Sequence, residues 1–148
     1  MGQIRLIALD IDGTLLNDEK QVPEDNLRAL REAQERGIRV AISSGRMIST
    51  IEPVETKLGL DTVIVAYNGA VVVSPRSEGR EMIVHQPIPA EVGAEVIDFA
   101  REQSLLLNFY SDDLLYAEDT PEQRDLIDLY ARRTGAAYHF CDLDDWRA

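Results

Sequence analysis

The sequence predicts an α/β fold built on a parallel sheet, followed by a smaller α+β part. Up to Ala66, strand-length apolar runs alternate with stretches whose apolar residues recur at helical spacing. That order of strand, helix, strand, helix, strand is the signature of right-handed βαβ units. The first run, Ile4 to Leu9, has only Arg5 to interrupt it, which predicts a strand covered on both faces. After Ala70 the period shortens to hairpin-like segments, and Pro87 and Pro89 mark a linker. The predicted boundary therefore divides residues 1–84 from residues 85–148.

The first strand ends at Asp10-Ile11-Asp12-Gly13-Thr14-Leu15-Leu16. In open parallel sheets, ligands bind beyond the carboxyl ends of the strands. Gly13 can adopt backbone angles closed to other residues, and such a turn can aim N–H groups at an anion. Carboxylates beside an anion site make sense if the anion is attacked and a cation joins it. Pro23 suits a first helical position, with Glu24 and Asp25 at the positive end of the helix dipole. Leu27, Leu30 and Ala33 give that helix its stripe, and Gly37 ends it.

A second strand, Ile38 to Ile42, leads to Ser43-Ser44-Gly45-Arg46. A second helix is expected over Ile48 to Leu58, with Ile51, Val54 and Leu58 on one face and Pro53 limiting how early it starts. Thr62 to Ala66 reads as the third strand. Ala70 to Val73 and Met82 to His85 read as a hairpin. Beyond the linker, Val92, Val96, Phe99 and Ala100 form a helical stripe. Leu105 to Tyr110 and Leu114 to Ala117 pair around Asp112-Asp113, Pro121 opens a helix carrying Leu126, Leu129 and Tyr130, and Ala137 to Cys141 adds a strand before an acidic tail, Asp142 to Ala148.

Asp10-Ile11-Asp12-Gly13-Thr14-Leu15-Leu16 resembles the first motif of the haloacid-dehalogenase-like (HAD) phosphatases. With Ser44-Gly45-Arg46 and Asn68-Gly69-Ala70 in order, the chain is similar to the Cof-type branch, whose cap domain is inserted after the third core strand. The resemblance implies a Rossmann-like parallel core, here in part, with an incomplete α+β cap over residues 85–148. It implies a Mg²⁺-dependent phosphomonoester hydrolase acting on a small phosphorylated metabolite through an aspartyl-phosphate. Asp10 would be the nucleophile and Asp12 the group that protonates the leaving oxygen and later deprotonates water. Asp10 would give the metal a carboxylate oxygen and Asp12 a backbone carbonyl; Mg²⁺ prefers such hard oxygen ligands. Gly13, Ser44, Gly45, Arg46 and Asn68 are the candidate substrate contacts.

Several of these residues have a second reading. Ser44 suits either phosphate donation or a helix N-cap, and Ser43 competes with it. Arg46 could pair with a substrate anion or with a neighbouring carboxylate, and Asn68-Gly69 is first a turn signal. Asp112, Asp113, Asp142, Asp144 and Asp145 read as solvated loop carboxylates, His85 and His139 lack zinc-site spacing, and Phe99, Phe109 and Trp146 read as packing. Cys141, the single cysteine, excludes an intrachain disulfide.

The family also uses a lysine from a later loop and a late acidic pair. The only lysines are Lys20, in the first loop, and Lys57, late in the second helix; neither fits by position. The sequence therefore reads as the amino-terminal part of the family pattern, a truncated product or part of a longer protein. It would have weak chemistry alone, and an open sheet edge would favour self-association or completion by a carboxyl-terminal segment. The alternatives are a non-catalytic phosphate- or metal-binding module, and a receiver domain. A receiver carries its phospho-acceptor after the third strand, where Ala66-Tyr67-Asn68 offers none. The motifs do not separate a phosphatase from a phosphomutase.

The net charge of −12 argues against nucleic-acid and anionic-membrane surfaces, which need clustered Lys and Arg. No apolar run nears the roughly 18 residues of a membrane span, and no basic leader precedes the first strand, so a cytoplasmic protein is expected.

Overall fold

The structure, a computed structural model, describes residues 3–146. The last two residues of the expected acidic tail, and the first two of the expected leaderless start, lie outside them. Two compact units divide at Gln86/Pro87.

Unit 1 is a five-stranded sheet in the order β1-β2-β3-β4-β5, formed by Leu6–Leu9, Arg39–Ser43, Val63–Ala66, Val71–Val73 and Met82–His85. The first three strands are parallel and the hairpin β4–β5 extends the same sheet antiparallel. Helix α1, Glu24–Glu35, joins β1 to β2, and α2, Ile48–Leu58, joins β2 to β3. Pro23 serves as the N-cap of α1, one place earlier than expected. Pro53 lies inside α2, where the helix carries it without a break.

The core forms on one face of the sheet. Leu30 of α1 and Ile51, Val54 and Leu58 of α2 pack with Val40, Ile42, Ile64, Ala66, Val71 and Val73. Two right-handed crossovers between strands laid down in sequence put both helices on the same side. The other side of β1 is open: Leu6 is 55% exposed and Ala8 is exposed. The expectation of a first strand covered on both faces is thus corrected. Its apolar run places Ile7 and Leu9 toward the helices, whereas no element of residues 3–86 covers Leu6 and Ala8.

Opposite the ligand end, a buried ionic knot ties α2 to β3 and to the β4–β5 link. Glu55, fully buried, accepts the Thr62 N–H (3.0 Å) and hydroxyl (2.8 Å) on Oε1. Its Oε2 faces Arg80 Nη2 (2.5 Å) and Arg76 Nε (3.1 Å).

Unit 2 contains α3 (Ala90–Glu102), α4 (Pro121–Thr134) and a sheet of β6 (Asn108–Ser111), β7 (Leu114–Ala117) and β8 (Tyr138–Phe140). β7 pairs antiparallel with β6 and parallel with β8. Its core comprises Ile97, Ala100, Leu115, Ala117, Ile127 and Leu143. Four sequence expectations shift here. The buried stripe of α3 runs through Ile97 and Ala100, leaving Val92, Val96 and Phe99 exposed, so Phe99 is not a packing residue. Leu126 and Leu129 of α4 are likewise about half exposed while Ile127 is buried. Leu105 and Leu106 precede β6 and belong to no strand. Asp142 and Asp144 are not merely solvated, because Arg101 gathers them with Glu118. Phe109, Tyr116 and Trp146 pack together on the other sheet face. No helix among the described residues is long and apolar enough to cross a membrane.

Candidate active site

The segment after β1 alternates between core and solvent. Ile11, Leu15 and Leu16 are buried, and two backbone bonds, Leu15 N–H to Asp10 O (3.2 Å) and Leu16 N–H to Ile11 O (3.0 Å), close the turn. Burial of three such side chains, worth about 1.5–3 kcal/mol each, outweighs the exposure of the acidic residues between them. Asp10 and Asp12 are consequently turned outward. Gly13 has φ +79°, the left-handed conformation the turn requires, and open space around it.

A cleft of about 500 Å³ lies beyond the carboxyl ends of β1, β2 and β3. Asp10, Ser43, Ser44, Gly45, Asn68 and Gly69 line it. The sequence candidates Asp10, Ser44, Gly45 and Asn68 are therefore brought together, while Asp12, Gly13 and Arg46 lie outside the lining. The Asp10 carboxylate has no hydrogen bond or ion pair among the described residues.

Ser44 is nearly buried, and its Oγ accepts the Arg46 N–H at 3.3 Å. That leaves its hydroxyl hydrogen to donate. The N-cap alternative is corrected: Met47, buried in the core, caps α2, and no side-chain cap is present. Gly45 is required for closeness, since a Cβ there would sit 2.9 Å from Asn68 Oδ1.

The loop leaving β3 is strained. Tyr67, Asn68 and Gly69 have φ of 51°, 55° and 97° in succession. Asn and Gly tolerate this region and a tyrosine rarely adopts it. Two bonds to the β2 loop, Tyr67 N–H to Arg46 O (3.1 Å) and Asn68 N–H to Ser44 O (3.2 Å), hold the conformation. Strain of this kind collects where a fold overdetermines a functional geometry.

Arg46 faces a carboxylate and not the cleft. Its Nε donates to Asp12 Oδ2 (2.9 Å) and its Nη2 to Asp12 Oδ1 (2.8 Å), a bidentate pair. Lys20 adds its ammonium to Asp12 Oδ1 at 3.1 Å. Partial burial pushes the Asp12 carboxyl up, but hydrogen bonds and charges from Arg46 and Lys20 outweigh it and hold the group below its ordinary value. Sequence reasoning missed Lys20 at this site, because a loop lysine eight residues away carries no periodic signal. The strain at Tyr67 was equally invisible, since only the Asn-Gly pair beside it announces a turn.

Among the described residues no group of three or more His, Cys, Asp or Glu could hold a metal. Mg²⁺ is usually held by one or two carboxylates with phosphate oxygens and water, and does not need an all-protein cage. The unpartnered Asp10 carboxylate fits that mode.

A family model for haloacid dehalogenase-like hydrolases matches residues 7–140. Phosphatase YwpJ of Bacillus subtilis is 33% identical over 95% of this chain and 47% of its own length. The 5-amino-6-(5-phospho-D-ribitylamino)uracil phosphatase YcsE of the same organism is 42% identical over 47% of this chain and 28% of its own. A solved haloacid dehalogenase-like hydrolase from Bacteroides thetaiotaomicron superposes with a TM-score of 0.76 at 28% identity, covering 95% of this chain and 52% of that one. The chain thus spans about half the length of the relatives it matches from end to end.

Proposed function

The chain belongs to the haloacid dehalogenase-like hydrolases, and from that premise we propose that it performs phosphomonoester hydrolysis through an aspartyl-phosphate on Asp10. The observation that carries this reading is the cleft itself: an unpartnered carboxylate faces a serine hydroxyl and an asparagine at the ends of three parallel strands.

In this reading an Asp10 oxygen attacks phosphorus while the ester P–O bond breaks. The leaving oxygen takes a proton from Asp12, which has first accepted it from the monoanionic phosphate ester. Water then attacks phosphorus, Asp12 takes its proton, and the Asp10–phosphate bond breaks to release inorganic phosphate. Asp12 is ionised at rest, the form that accepts a proton, and the negative charge of an arriving phosphate favours its protonated form. Ser44 donates its hydroxyl to a phosphate oxygen, Gly45 lets the backbone approach, and Asn68 closes the far wall. Arg46 orients Asp12. Mg²⁺, held by Asp10 and the Asp12 carbonyl, would neutralise charge on the phosphate oxygens.

The substrate is a small phosphorylated metabolite, in keeping with a relative named for a phosphorylated ribitylaminouracil. Unit 2 serves as a cap that selects it, and the protein works in the cytoplasm. The test is hydrolysis of an aryl phosphate with and without Mg²⁺, alongside trapping with beryllofluoride. Asp10→Asn should abolish turnover and trapping; undiminished turnover in that variant, or trapping on another group, refutes the assignment.

A further inference from the structure

The loop between the acidic turn and α1 holds a lysine in a costly conformation. Lys20 has φ +58°, a region open to glycine and unfavourable for a residue with a Cβ. The loop maintains it with three bonds: Asn17 N–H to Gln21 O (2.9 Å), Lys20 N–H to Asn17 O (3.0 Å) and Gln21 N–H to Asn17 Oδ1 (2.9 Å). What the strained residue reaches is Asp12, with Nζ 3.1 Å from the same Oδ1 that receives Arg46 Nη2 at 2.8 Å.

We propose that Lys20 is a positioning residue of the phosphoryl-transfer site, fixing the Asp12 carboxylate jointly with Arg46. The proposal rests on the reading of Asp12 as the proton-transfer group. A carboxylate gripped by one bidentate arginine can still pivot with that arginine as a unit. A second cation, anchored on a different segment of chain, removes that freedom. The arrangement also separates two carboxylates only two positions apart: Asp12 is held by two cations, while Asp10 has no side-chain partner among the described residues and stays available to attack.

The competing account is an ordinary surface ion pair, whose side chains are 55% and 46% exposed and which contributes little. Lys20→Gly separates the two, because it relieves the backbone strain while deleting the ammonium. Both accounts expect an unfolding midpoint equal to or above the parent's. Only the positioning role expects kcat for an aryl phosphate to fall at least tenfold with KM within threefold, and Lys20→Arg to recover most of the loss.

The pair can also be read without turnover. The chain has two lysines, so ¹³C-dimethylation gives signals from Lys20, Lys57 and the terminal amine. Asp12→Asn should move the Lys20 signal and leave that of Lys57 in place. An unmoved Lys20 signal, or parental kcat in Lys20→Gly, overturns the positioning role alone. A parent chain that hydrolyses no phosphate ester, or one that retains hydrolysis in Asp10→Asn, overturns the phosphatase reading and the positioning role with it.

Discussion

Gly45→Ala tests whether the cleft is set by the contact between its β2 and β3 loops. The added Cβ would lie 2.9 Å from Asn68 Oδ1, about 0.5 Å short of ordinary contact, which begins at 3.4 Å. The Asn68 backbone is fixed, its N–H bonded to Ser44 O and its φ of 55° in a narrow region, so relief falls to rotation of its side chain. Overpacking of this kind costs about 1–3 kcal/mol. Unit 1 spans 86 residues, a size at which 1 kcal/mol moves the thermal midpoint by roughly 4–8 °C, so the loss should be on the order of 5–20 °C. The refined test is a double-mutant cycle with Asn68→Gly, which is compatible with the positive φ and removes the clashing atom. Asn68→Gly alone should be near neutral, and the double variant should recover about 0.5–3 kcal/mol of the Gly45→Ala loss. Thermal and urea unfolding followed by circular dichroism measure all four proteins. Strict additivity, within about 0.5 kcal/mol, would refute the contact as the source of the cost.

Glu55→Gln should destabilise unit 1 by roughly 3–5 kcal/mol, since it leaves Arg80 and Arg76 without their buried carboxylate. Glu55→Leu should cost about 1–3 kcal/mol more, because the buried Thr62 N–H and hydroxyl lose their acceptor; urea midpoints within error of the parent would show that the knot is dispensable. Asp12→Asn should slow turnover by roughly 10²–10⁴ while inorganic phosphate still binds, as loss of a general acid–base group requires. Calorimetric phosphate titration beside initial rates checks this, and equal losses in both would mark Asp12 as structural.

The strands and helices around the cleft were legible because each carries its own period. The β2 and β3 runs and the stripe of Leu30, Ile51, Val54 and Leu58 mark the core directly. Asp10, Ser44, Gly45 and Asn68 converge because parallel strands deliver their carboxyl ends to one edge. What stayed hidden depended on distance and not on pattern. Arg46 had two partners of equal standing until the fold placed Asp12 within reach of its guanidinium. Lys20 became relevant only through a loop closed by Asn17. In unit 2 the apolar residues of α3 recur on more than one face, so periodicity offered Val92, Val96 and Phe99 where packing chose Ile97.

The strand that leads into Asp10, β1, is an edge of its sheet, hydrogen-bonded on one side only among the described residues. Peripheral strands fray more readily than central ones, so in the proposed mechanism Asp10 would follow a strand that opens readily. A chain segment pairing along this rim would therefore steady the Asp10 turn from behind without entering the cleft. Pairing along β1 and the steadiness of the turn at its tip would then be one mechanical property.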